Sequence, residues 1–133
     1  MIHYRQFSPL DVGKPADAMI TAHGVTMLDD DRVIAVGGLV RVGTKWWTFS
    51  EIKPEARVAI RLHRLVLAGL KNAEAEGITP IYGYCDETKP RARDWIERIG
   101  FRPIRAEERD DEVDVVERWC HSQAWIREMA GGH

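Results

Sequence analysis

Apolar and polar residues alternate over residues 2–7, and Ser8-Pro9-Leu10-Asp11 follows with a cap residue and a proline suited to a first helical position. A short strand leading into a short helix is expected, interrupted by Gly13 and Pro15. Residues 25–28 read as a strand, Asp29-Asp30-Asp31-Arg32 as a turn and residues 33–42 as a second strand carrying Gly37-Gly38. After a turn at Gly43-Thr44, residues 46–52 read as a third strand, which completes an antiparallel meander. The period then becomes helical over residues 54–76: Val58, Leu62, Leu65, Val66, Gly69, Leu70 and Ala73 recur at three- and four-residue intervals on one face, and Gly77 supplies the stop. Beyond it the pattern predicts a strand over 78–85, a helix over 91–99 closed by Gly100, a strand over 101–106, a solvated hairpin tip over 107–111 and a final strand over 113–119. Residues 1–119 read as the domain, and residues 120–133 as a C-terminal tail with a short helix over 124–129. This order implies an α/β fold of the α+β type, with a mixed, mostly antiparallel central sheet flanked by helices.

Length and composition narrow the function classes. At 133 residues the chain is one domain's worth, and 44% hydrophobic with 30% charged residues is ordinary for a globular protein. A formal net charge of −2 gives no broad attraction to nucleic acid or to an anionic membrane, so nucleic-acid binding is not expected. Cys85 and Cys120 form no CxxC pair, and no His, Cys or carboxylate cluster has metal-ligand spacing. No stretch approaches the roughly 20 apolar residues of a membrane span, and residues 1–7 lack the apolar run of a signal peptide. The expected location is therefore the cytoplasm.

Residues 52–62 read Ile-Lys-Pro-Glu-Ala-Arg-Val-Ala-Ile-Arg-Leu. With Ile52, Pro54 and Arg57 this segment resembles the acyl-CoA pyrophosphate loop of the GNAT acetyltransferases, in which a hydrophobic residue, x-Pro-x-x-Arg and then x-x-Gly-x-Gly/Ala open a long helix. Ile60 and Leu62 stand at the two glycine positions. Glycine there lets a diphosphate reach bare N–H groups at a helix N-terminus, and branched side chains obstruct that approach. A second likeness lies in Ala92, Gly100 and Phe101, which match the spacing of the family's Asn-x-x-Ala-x-x-x-Tyr-x-x-x-Gly-Phe pattern. In that alignment Lys89 replaces the asparagine, and Ile96 replaces the tyrosine that commonly protonates the departing CoA thiolate. The resemblance implies a GNAT-like fold whose packing positions persist while its chemistry is altered. The compact layout, with tryptophan and phenylalanine on the strand before a glycine-poor helix, is also similar to short phage-encoded members, including the podophage internal virion protein group.

Two functions follow from the resemblance. In one, the chain is a phage-derived, catalytically degenerate GNAT-like protein that acts by binding a phage or host protein, in virion assembly or on the host. In the other, it is an N-acetyltransferase that moves an acetyl group from acetyl-CoA to an amine with unconventional donor binding. Acetyl-CoA or CoA is the cofactor only in the second. For donor binding the candidates are Ile52, Arg57, Arg61 and Arg64, the arginines forming with Lys71 a basic stripe on the long helix whose alternative reading is a solvated face. Glu51 is the candidate base, and burial beside Trp47 and Phe49 would suit it to that role; otherwise it is an edge carboxylate. Tyr82 and Tyr84, which alternate with Ile81 and Gly83 and so share a face, are the alternatives for the missing acid. Trp46 and Trp47 must face opposite sides, Trp95 and Cys85 read as core, and His63 reads as structural or solvated.

Overall fold

The computed structural model describes residues 1–15, 22–52 and 59–128, including the side chains of all of these except 59–62. Seven strands form one sheet in the order β1-β2-β3-β4-β5-β7-β6. β1 (Ile2–Gln6), β2 (His23–Asp29), β3 (Arg32–Val42) and β4 (Lys45–Ile52) are successive antiparallel neighbours, so the expected meander holds four strands rather than three. After α1 (Ala59–Ala75), β5 (Ile81–Cys85) enters parallel to β4, and β7 (Gln123–Arg127) and β6 (Arg102–Pro103) complete the sheet antiparallel to their neighbours. The mixed, mostly antiparallel sheet flanked by helices is thus present.

Helices cover both faces. α1, α2 (Ala92–Arg98) and the Ile99 that caps it bring Leu70, Ala73, Ile96 and Ile99 against Ile81, Cys85 and Trp125 on one face. α3 (Asp111–Cys120) brings Val113 and Val116 against Trp47, Tyr82, Ala124 and Ile126 on the other. Gly77 and Gly100 end α1 and α2 at φ of 88° and 93°, as their positions predict. Near the N-terminus the cap and proline act as expected: Pro9–Val12 forms a 3-10 turn, with the Ser8 side chain accepting from the Leu10 N–H. Asp11 fastens this turn to the sheet, accepting from Arg5 at 2.8 Å and from the Thr26 hydroxyl at 2.6 Å. Gly24 and Gly38 lie opposite each other in β2 and β3, and a Cβ on Gly38 would stand 2.1 Å from the His23 carbonyl oxygen, so a side chain there would force the strands apart.

The C-terminal third departs from expectation. Residues 113–119 form part of α3 and no strand, because Asp110 caps the helix by accepting from the Val113 N–H at 3.0 Å and three acidic residues occupy the first turn. Residues 107–111 are accordingly no hairpin tip: they span a 3-10 turn (Ala106–Glu108) and the approach to that helix. Residues 124–127 lie in strand β7 and not in a helix. Ala124 and Ile126 face the α3 side while Trp125 faces α2, so burial on both faces hides the period of two. The strand expected over 101–106 shortens to Arg102–Pro103, and that expected over 78–85 begins at Ile81.

Candidate functional site

A fork opens between β4 and β5. β4 pairs with β3 along its whole length, from Val42↔Lys45 to Ala35↔Ile52, but with β5 only at Trp46↔Ile81 and Trp47↔Tyr82. β5 in turn pairs with β7 at all five of its residues. Past Trp47 the two parallel strands therefore separate, and residues 48–52 have no strand partner on that side among the described residues. Their unpaired main-chain groups can accept an extended amide-bearing chain in the manner of an added strand.

Gly83 floors the fork. A methyl group there would lie 3.1 Å from Thr48 Oγ1, 3.1 Å from Phe101 Cε2 and 3.5 Å from Ile96 Cδ1, so the side chains of β4, α2 and the loop after it converge on one glycine. Thr48 is half-buried, and its hydroxyl makes no hydrogen bond among the described residues. Ile96 is buried in the cluster between α2 and the sheet. The residue aligned with the family's proton donor thus reaches the fork, but with a methyl group. Neither Thr48 nor Gly83 stood out in the sequence as a site residue. The available signal was an isolated glycine within a strand pattern, which marks a close approach.

The other candidates scatter. Glu51 and Ile52 are exposed at the outer end of β4, so Glu51 lies as an edge carboxylate and lacks the burial beside Trp47 and Phe49 that would suit it to act as a base. Pro54, Arg57 and the side chains of Ile60, Arg61 and Leu62 lie outside what is described, and the basic stripe can be followed only through Arg64 and Lys71, both exposed on α1. Tyr82 and Tyr84 share a face as expected, and it is the α3 face. Tyr82 stacks on Trp47 with ring centroids 5.2 Å apart and lies under the Lys45 ammonium at 5.6 Å. Burial pushes both phenols above their ordinary pKa, although Lys45 works against this at Tyr82. A proton held more tightly is given up less readily. Cys85 is buried, and burial raises its thiol as well, followed by the nearby Glu87 charge. Trp46 and Trp47 take opposite sides: Trp47 is core, and Trp46 is half-buried with its ring 6.0 Å from that of His23. Trp95 and His63 are half-buried.

Two open depressions lie near the sheet. One, of about 510 Å³, is lined by Lys89, Pro90, Arg91, Ala92 and Trp95 at the start of α2. The other, of about 590 Å³, includes Asp86, Arg109, Glu117 and Arg118. No group of three or more potential metal ligands occurs among the described residues, and none of the described helices is long and apolar enough to cross a membrane.

No protein-family model and no curated protein matches the sequence. Solved structures do match the fold. A GNAT-family acetyltransferase from Staphylococcus aureus Mu50 superposes with a TM-score of 0.70 at 11% identity, over 98% of this chain and 100% of its own. The PaiA N-acetyltransferase of Thermoplasma acidophilum, solved in complex with coenzyme A, gives 0.64 at 13% identity, over 97% of this chain and 99% of its own. N-acetylglutamate synthase from Neisseria gonorrhoeae, complexed with coenzyme A and N-acetyl-glutamate, gives 0.67 at 12% identity. The match spans 98% of this chain but only 35% of that synthase. The fold is that of the GNAT acyl-CoA N-acyltransferases.

Proposed function

We propose that this protein uses the GNAT fold as a binding scaffold, that ordinary acetyl transfer has lapsed in it, and that it serves a phage by engaging a phage or host protein. The observation that carries the reading is Ile96. The sequence likeness aligns it with the family's acid, its side chain reaches Gly83 at the fork floor, and it has no proton to donate to a departing thiolate. Supporting it, Tyr82 and Tyr84 pack on the α3 face with raised pKa, Cys85 is buried, and Glu51 lies exposed at the strand's end. The phage assignment is supported by the sequence likeness alone, and a gene lying among virion genes is its expected context.

The fork itself favours a second reading, an acyltransferase that draws on acetyl-CoA. The main-chain groups of residues 48–52, which have no strand partner on that side among the described residues, would hold the amides of an acyl-pantetheine arm, with the Thr48 hydroxyl as a further hydrogen-bonding group. When bound, CoA would supply an activated thioester. Glu51 would then serve as base, and Ile52, Arg57, Arg61 and Arg64 would be the donor-binding residues.

Calorimetric titration of the purified protein with acetyl-CoA and CoA separates the two. The binding-scaffold reading expects no heat of binding at millimolar ligand and no thiol release from acetyl-CoA in the presence of amines. Micromolar binding that is lost in Arg57→Ala, together with thiol release that is lost in Glu51→Ala, would overturn it. If Ile60 and Leu62 are the obstruction, the I60G/L62G double variant gains CoA affinity.

A further inference from the structure

One stripe of the α3 surface has no partner among the described residues. Val113 and Val116 are buried against the sheet, whereas Val115 is 40% and Trp119 83% exposed, four residues apart on the outer side. Asp111 and Arg118, also exposed, fall on the same stripe, at intervals of four, three and one along 111, 115, 118 and 119. The other charges around the helix are engaged. Asp110 and Glu112 hold Lys45, Glu112 also accepts from Thr44, and Arg109 holds Asp114 and Glu117. The side chains of Asp111 and Arg118 make no hydrogen bond or ion pair among the described residues. An exposed tryptophan flanked by a valine and by two uncommitted charges of opposite sign is the composition of an interface centre with a polar rim.

The occupant that this arrangement specifies is a second copy of the same chain. The acidic residue lies in the first turn of α3 and the basic residue in the last. In an antiparallel pairing about a twofold axis beside Val115, each Arg118 comes opposite the second copy's Asp111, and the same contact repeats across the axis. The two tryptophans then cover the first turns of the facing helices, and the helix dipoles oppose each other. A parallel pairing would instead set Arg118 against Arg118 and Asp111 against Asp111. We infer that the protein forms a twofold homodimer through the outer face of α3, centred on Val115 and Trp119 and held in register by Asp111 and Arg118. A helix of 10 residues is about 15 Å long, so the buried area falls at the small end for stable complexes and the dimer is a weak one.

Sedimentation equilibrium of the full chain, from a few micromolar to a few hundred micromolar, provides the test. The wild type is expected to pass from monomer to dimer within that range. Trp119→Ala, at a site too exposed to disturb the core, should weaken dimerisation about tenfold or more while leaving the circular dichroism unchanged. D111R and R118D should each weaken it several-fold, and the D111R/R118D double variant should recover it, which a general loss of folding would not allow. A wild type that remains monomeric throughout would overturn the inference, leaving the face to some other protein. So would a dimer indifferent to Trp119→Ala, or a double variant no better than the singles.

Discussion

The two edges of β5 are built in opposite ways. Along one, all five residues pair with β7, which carries β6 beyond it, and both faces of that contact are core: Trp125 toward α2, Ala124 and Ile126 toward α3. Along the other, pairing with β4 stops after two residues and the strands diverge around Gly83 and Thr48. The closed edge binds the C-terminal half together through burial and ion pairs, while at the fork main-chain groups and a hydroxyl have no partner among the described residues. Buried packing is thus concentrated on one side of a single strand, and on the other lies an edge without a strand partner among the described residues. Substitutions at the two edges should accordingly differ in scale.

The largest effect is expected at Trp125, which is fully buried at the centre of the closed edge. Trp125→Ala should cost about 4 kcal/mol of unfolding free energy, measured by urea denaturation, since a cavity of that size cannot collapse fully. Trp125→Phe should cost much less. Its indole N–H has no partner among the described residues, and removing that orphan donor offsets part of the lost volume.

Next in size is the buried pair beneath the same strand. Arg127 at the end of β7 donates to Glu74 of α1 at 2.7 Å and also to the Ile99 carbonyl, and both side chains of the pair are nearly buried. Glu74→Ala would leave the nearly buried guanidinium without its counter-charge, the Ile99 carbonyl remaining as its acceptor, with an expected loss of about 3 kcal/mol in the same assay. The double variant Glu74→Ala with Arg127→Met should recover a substantial part of it.

A smaller contribution is set by pH. The Arg102 guanidinium, helped by the Arg105 N–H, holds the Glu108 carboxyl down to about 2. The folded protein therefore binds this proton more weakly than the unfolded chain does. The stabilisation is complete above the ordinary carboxylate range, near pH 4.3, and is lost as pH falls toward 2. Melting temperatures recorded across that interval should fall, and Glu108→Gln should flatten the part of the decline due to this group.

How far the sequence discloses the molecule also follows the two edges. The meander is legible because turns with Asp or Gly separate β2 from β3 and β3 from β4, and the expected strand over 46–52 agrees with β4 to within one residue. The closed edge is not. Ala124-Trp125-Ile126 is apolar without alternation because both its faces are buried, and Val113, Val115 and Val116 invite a strand reading through their branching and through the alternation of 113 with 115. The overriding signal, an Asp110 cap followed by Asp111, Glu112 and Asp114, was present in the sequence and was outweighed by the apolar pattern. The fork is not legible in the pattern of residues, because where β4 parts from β5 depends on contacts between distant segments. Within it the spacing pointed to Ile96, whereas Thr48 and Gly83 carry no motif that distinguishes them from any strand threonine and glycine.

The smallest expected effect sharpens the comparison most, because it tests whether the fork is open or packed. Gly83 belongs to the strand that forms the closed edge, yet its missing side chain faces the fork floor, where a methyl group would meet Thr48 and Phe101 at 3.1 Å. Contacts that short require the neighbours to yield by a few tenths of an ångström. Thr48 stands where β4 has no strand partner on that side among the described residues, and Phe101 is held in the core. Gly83→Ala should therefore cost only about 1 kcal/mol, the strain partly offset by the lower backbone entropy of alanine in the unfolded chain. In a Thr48→Ala background the cost should fall to roughly half, a coupling that a double-mutant cycle in urea can resolve. If the two substitutions are additive, the crowding comes from Phe101, and the fork floor belongs with the closed edge.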